Sequence, residues 1–147
     1  MEAKKIKQMF VEGPISSQFI AESISKHSSK KNIGAHQLFL GQVRQDEINT
    51  GQVMAIEYTC YKEMAEPILE AIREDCFAKY PLTCLHIYHS LGLVNAGEIC
   101  LFVFTSSSHR QAATEACSYL VERIKKEVPI WGKEILSDTS SVWKINQ

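Results

Sequence analysis

A chain of 147 residues can form one domain with a buried core, and its 16 basic and 17 acidic residues leave a net charge of −1. That balance excludes a global electrostatic pull toward nucleic acid or an anionic membrane, so any anion must be held locally. Hydrophobic residues make up 45% of the chain, ordinary for a folded domain, and no apolar run approaches the ~20 residues of a membrane-spanning helix.

The segment Met1 to Lys7 is charged and leads into no apolar signal core, so the expected location is cytoplasmic. Ile6 to Val11 reads as a first strand, closed by Gly13-Pro14. Ser16-Ser17 caps a helix to about Lys26, with Phe19, Ile20 and Ile24 on one face. A polar loop from His27 to Asn32 leads to a strand from Ile33 to Arg44, whose loose alternation implies partial cover on both faces. Gln45 to Gln52 carries turn chemistry and reads as an exposed loop. Val53 to Cys60 is the next strand, and Tyr61 to Tyr80 is a long helix with Ile68, Ile72 and Cys76 facing inward. Pro67 then belongs in or near the first turn, where a missing N–H matters least. Leu82 to His89 and Ile99 to Thr105 are strands separated by a turn at Asn95-Ala96-Gly97.

The third helix begins near Ser108, with Gln111 at capping-box spacing, and presents Ala113, Ala116, Cys117, Leu120 and Ile124 on one face. Lys125 and Lys126 fall in its last turn, where cations suit the helix dipole, and Val128-Pro129 ends it. An extended segment from Ile130 to Leu136 and a tail holding Trp143 complete a chain without repeat or linker, read as a single domain over residues 1–147. The order β-α-β-β-α-β-β-α-β has more adjacent strands than single crossovers. It predicts an α+β fold: a mixed, largely antiparallel sheet with packed helices.

Three basic spots stand at element ends: Arg44 after a strand, His109-Arg110 at a helix start, and Lys125 with Lys133 around a Pro-x-Trp turn. Arginine offers a forked donor set for phosphate, a helix start favours anions, and a desolvated lysine can act as a base. His109 and Lys125 are 16 positions apart on one helix, so the two ends are separated by roughly 24 Å at ~1.5 Å rise per residue. One small anion touches both ends only if they come from two copies of the chain, which predicts a homodimer with shared pockets.

The five cysteines, Cys60, Cys76, Cys84, Cys100 and Cys117, show no close pairing and no metal-type spacing, and read as buried free thiols. Cys60, beside Thr59 and Tyr61, is the alternative as a reactive thiol. His86 and His89 read as satisfied core or edge histidines, and Trp131 as a core or interface residue. No Gly-rich phosphate loop, zinc spacing or Gly-x-Ser-x-Gly elbow is present, so neither a cofactor nor a metal is expected.

Five pieces in order carry a resemblance: Gly34-Ala35 with Phe39-Leu40-Gly41-Gln42-Val43-Arg44; Glu57 to Ala65; Gly92 with Gly97-Glu98; Ser107-Ser108-His109-Arg110; and Glu122 to Glu134. Together they resemble the large, catalytic subunit family of molybdopterin synthase over about residues 6 to 145. The resemblance implies an α/β hammerhead type of fold and a sulfur transferase of molybdenum cofactor biosynthesis, converting cyclic pyranopterin monophosphate to molybdopterin. It implies sulfur delivered as a C-terminal Gly-Gly thiocarboxylate on a small ubiquitin-like subunit, and a homodimer within a heterotetramer. On the matching positions, Gln42, Val43 and Arg44 contact substrate, His109 and Arg110 arrive from the other copy, and Lys125 is the catalytic lysine. Gly132 stands where the family has a second lysine; Lys133 is expected to replace it by turning inward, with Glu134 completing the substrate-contact set. Ser90 stands where the family usually has arginine, which weakens an anion contact there. The alternatives are a non-catalytic relative that docks a ubiquitin-like partner, or a phosphate-ligand binding domain.

Overall fold

The computed structural model describes residues 9–48, 51–138 and 140–144. Its elements in chain order are β1 (Phe10–Glu12), α1 (Ser17–Ser25), β2 (Ala35–Gln42), β3 (Glu47–Ile48), β4 (Gly51–Cys60), α2 (Lys62–Lys79), β5 (Cys84–Asn95), β6 (Ile99–Ser107), α3 (Arg110–Glu127), β7 (Ile130–Leu136) and β8 (Ser141–Trp143). The strands form one sheet ordered β2-β6-β5-β4-β7-β8, with β3 paired to β4 and β1 to β5. Every pairing among the described residues is antiparallel except β1 with β5. The α+β expectation is met.

Strand alternation divides the core between the two sheet faces. Leu101 and Val103 of β6 join Leu85 and Ile87 of β5 under the inner stripes of α2 (Leu69, Ile72, Cys76) and α3 (Ala116, Leu120, Ile124). Phe102 and Phe104, the intervening residues, face α1 and pack with Ile15 and Ile20. β5 is shared along its length: Cys84 to His89 pair with β6, then Gly92 to Asn95 pair with β4. Gly92 has φ 84, a left-handed conformation that costs glycine little.

Several local expectations change. The first strand is Phe10–Glu12, and the Ile6 to Gln8 part of its expected range lies outside the described residues. In α1, Ser16 accepts from the Phe19 N–H as expected, but Ile20 and Ser23 are the buried residues while Ile24 is exposed. The span read as an exposed loop, Gln45 to Gln52, holds a small ladder between β3 and the start of β4. Both β5 and β6 run past their expected ends. Pro67, the sixth residue of α2, lies near the first turn as expected. Ser108 does not cap α3: His109 occupies the N-cap without a side-chain bond, Ser108 Oγ donates to the Asn32 carbonyl, and Gln111 reaches Glu115. Asn32 wins because it brings the loop before β2 against the helix start, which a local cap cannot do.

Candidate active site

The end of β2 is where the site is built. The β2–β6 register shifts between Gly41 and Gln42, and such a bulge re-aims the residues that follow. Val43 is then pinned, its N–H donating to the Glu98 carbonyl at 3.0 Å and its carbonyl accepting from Gly97 at 2.8 Å. It is buried, while Gln42 and Arg44 on either side are exposed. Across from them, the last turn of α3 carries Lys125. That turn is fixed from outside by Arg123, whose guanidinium donates to Asp75 of α2 at 3.0 Å and to Tyr119 at 2.6 Å. Val128-Pro129 then turns the chain into β7, which pairs with β4.

Between these elements lies a cavity of about 690 Å³, walled by Gln42, Val43 and Arg44, by Ile56 and Tyr58 of β4, by Lys125 and Glu134, and by Trp143 and Lys144. Arg44 pairs with Asp46 at 3.2 Å, with its side chain 74% exposed, so solvent screens the pair and a ligand can compete for the guanidinium. Lys125 and Lys144 add two ammonium groups to the wall, opposed by Glu134. Tyr58 is held well above its ordinary pKa, first by burial and then by Cys100 and Glu134; it remains a protonated donor. Behind it the His89 ring meets Tyr58 edge-on with centroids 5.0 Å apart. Burial pushes His89 down to about 4, opposed by its bond to the Ser90 carbonyl and reinforced by the charge of Lys125.

Of the residues marked in the sequence, Gln42, Val43, Arg44, Lys125 and Glu134 therefore meet at one cavity. Lys133 does not. Its neighbour Glu134 faces the cavity, and alternation sends Lys133 to the opposite face, 3.6 Å from a Glu57 carboxylate and 5.9 Å from the Trp143 ring centroid. The expected inward turn at Gly132 is absent because β7 stays in register with β4 through that residue. A β-carbon on Gly132 would lie 2.9 Å from Ile56 Cγ2 and 3.3 Å from Tyr58 Cε1, so the cavity wall already fills that space. Lys144, which the sequence reading missed, stands beside it: its N–H donates to the Gly132 carbonyl at 2.8 Å. No motif marked it, since only strand pairing brings the tail back to β7.

His109 and Arg110 line a separate hollow of about 530 Å³ at the start of α3. Cys60 is not part of the cavity wall, and burial raises its thiol pKa, the wrong direction for a reactive thiolate. Ser90 is fully buried, and its hydroxyl has no hydrogen-bond partner among the described residues; it offers nothing to an anion. Trp131, read as a core or interface residue, is 50% exposed on β7 and so is not core.

His89 makes acid stability testable. Above pH 6.5 both folded and unfolded chains leave it neutral, whereas between 6.5 and about 4 the unfolded chain takes the proton first. Stability therefore falls with pH across that window. Urea midpoints should decline more steeply from pH 6.5 to 4 in the parent chain than in His89→Asn; equal slopes would refute this role. His36, lowered by burial and by His27, adds a slope of the same sign that both proteins share.

Comparison with known proteins places the chain in a family. The family description "MoaE protein" matches residues 12–127. A bovine (Bos taurus) molybdopterin synthase catalytic subunit is 40% identical over 114 residues, covering 78% of this chain and 60% of its own length. The chain thus spans less than two thirds of that relative. The crystal structure of molybdopterin synthase from Staphylococcus aureus superposes with a TM-score of 0.82 at 33% identity, over 98% of this chain and 100% of that one. A Helicobacter pylori complex of subunits 1 and 2 of molybdopterin-converting factor shares the fold, with a TM-score of 0.79 at 19% identity over 92% of this chain and 88% of that one. With the family description matching most of its length, the chain belongs to the MoaE protein family.

Proposed function

We propose that this chain is the catalytic subunit of a molybdopterin synthase, transferring sulfur to cyclic pyranopterin monophosphate to make the dithiolene of molybdopterin. The observation that carries the reading is the cavity in which Gln42, Arg44 and Lys125 converge. A ring system with a phosphate needs such a space: cationic donors for the phosphate, a flat aromatic wall, and a lysine able to hold or give a proton. Lys125 is assigned the proton-transfer role. Arg44 and Lys144 hold the anionic end, Gln42 positions the ring against the wall that Val43 forms, and Glu134 sets the orientation of the lysines. Lys144 takes the place that the sequence suggested for Lys133.

Sulfur arrives as a thiocarboxylate on the C-terminal Gly-Gly of a small ubiquitin-like subunit. The two-subunit complex among the fold neighbours supports a partner of that kind. His109 and Arg110 belong to the same chemistry through a second copy of the chain, since one α3 is too long to bring both of its ends to one ligand. The working assembly is then a homodimer carrying one small subunit at each end, in the cytoplasm, with residues 1–147 acting as one domain. No described helix is long and apolar enough to cross a membrane.

The test is reconstitution: purified chain, a partner bearing the Gly-Gly thiocarboxylate, and cyclic pyranopterin monophosphate, with dithiolene measured as product. Product formation supports the enzyme. Gly132 keeps a second reading in play, a relative that docks the partner without turning over, and tail binding without product would establish it.

A further inference from the structure

We propose that His27, Cys84 and His86 form a site for a transition-metal ion of the zinc class. The site stands on the α1 face of the sheet, away from the cavity, and does not depend on the sulfur-transfer reading. Cys84 and His86 are alternate residues of β5 and share the strand face that meets α1. His27 enters from the turn that ends α1, where its N–H donates to the Ile24 carbonyl at 3.0 Å. One ligand atom from each of the three side chains lies within 4.8 Å of the other two. His27 and Cys84 are each 8% exposed, and His86 is half-buried.

The imidazole geometry argues for a metal. His27 Nδ1 is 2.7 Å from the Ser23 carbonyl oxygen, which can only accept, so Nδ1 carries the proton in the neutral ring. Its Nε2 lone pair then points at His86 Nε2, 3.0 Å away. In a tetrahedral zinc site two imidazole nitrogens stand roughly 3.4 Å apart, and nitrogen and sulfur roughly 3.6 Å. The two histidines, 3.0 Å apart, are within about 0.4 Å of that spacing, and with all three ligand atoms inside 4.8 Å of one another a rotamer change at Cys84 can bring its sulfur to the ion. The carbonyl on His27 Nδ1 is also the outer support that metal-bound histidines usually have.

Two imidazoles and a thiolate select borderline and soft ions such as Zn²⁺ over Mg²⁺ or Ca²⁺, which need oxygen donors. Binding balances simply. Cys84 gives up its thiol proton to solvent and bonds through sulfur; His86 moves its ring proton from Nε2 to Nδ1; His27 uses its existing lone pair. One proton leaves per ion, and the fourth position takes water from the side where His86 is accessible. The ion would tie the end of α1 to β5 across 59 residues of sequence.

The probe is Co²⁺, titrated into the chelator-stripped full chain. The expected result is one Co²⁺ per chain with a thiolate-to-metal charge-transfer band, displaced by Zn²⁺, and a higher Tm for the loaded protein. Cys84→Ser should lose the band, and His27→Gln should bind more than about 100-fold more weakly, beyond the loss typical of an outer-sphere contact. Circular dichroism verifies folding, with His86→Gln carrying the comparison if Cys84→Ser fails to fold. A wild-type chain without saturable Co²⁺ uptake, a band that survives Cys84→Ser, or affinity unchanged in the histidine variants would each overturn the proposal.

Discussion

Lys125→Ala is expected to lower dithiolene formation by about 10²–10⁴-fold, the range over which a positioned proton donor or acceptor contributes. The loss should fall on turnover rather than on KM if the ammonium acts in the transition state, whereas Arg44→Ala should raise KM by weakening ground-state binding of the phosphate. Lys125 is exposed at the cavity wall and closes no ion pair among the described residues. Its replacement should therefore move Tm by no more than about 2 °C. Lys125→Arg separates two roles, because arginine keeps the charge but does not give up a proton near neutral pH. An inactive Lys125→Arg with a normal Tm assigns proton transfer; an active one reduces Lys125 to a holder of anions. Near-normal turnover by Lys125→Ala would remove it from the mechanism.

The second large effect comes from mixing two dead proteins. If each cavity uses Lys125 of one chain and Arg110 of its neighbour, a dimer of Lys125→Ala with Arg110→Ala has one cavity lacking both groups and one intact. Random exchange in an isologous dimer makes half of the dimers mixed, so about a quarter of wild-type activity should return. Activity would appear only after the subunits exchange, and a chain carrying both substitutions should restore none in either mixture. If instead both residues serve sites within one chain, mixing leaves activity at the mean of the two parents. The length of α3, Arg110–Glu127, is the physical reason to expect the first outcome.

How much of this was legible beforehand depended on whether the signal was local. Helices α2 and α3 were visible because Leu120 and Ile124, or Ile72 and Cys76, repeat at helical spacing and are buried in one cluster. The α+β class followed from element order alone. Caps and short ladders were harder. Ser108 looked like a local cap, yet its hydroxyl goes to Asn32, 76 residues away, and β3 is a two-residue strand. At the site, Gln42, Arg44 and Lys125 stood at element ends that sequence pattern marks. Which way Lys133 points depends on the β4–β7 register, and Lys144 reaches the cavity only through the pairing that carries β8 onto β7. The same limit hid the cluster of His27 with Cys84 and His86, since a spacing rule cannot join a helix end to a distant strand.

β5 is read from both of its sides. His89 presses on Tyr58 behind the cavity, while His86, three positions earlier, faces α1 and His27. Because side chains alternate along a strand, sliding β5 by a single residue would exchange its two audiences, presenting Leu85 and Ile87 to α1 and Tyr88 to the helices on the other side. The connector between α2 and β5, Tyr80 to Thr83, should accordingly accept changes of residue type more readily than a change in its length.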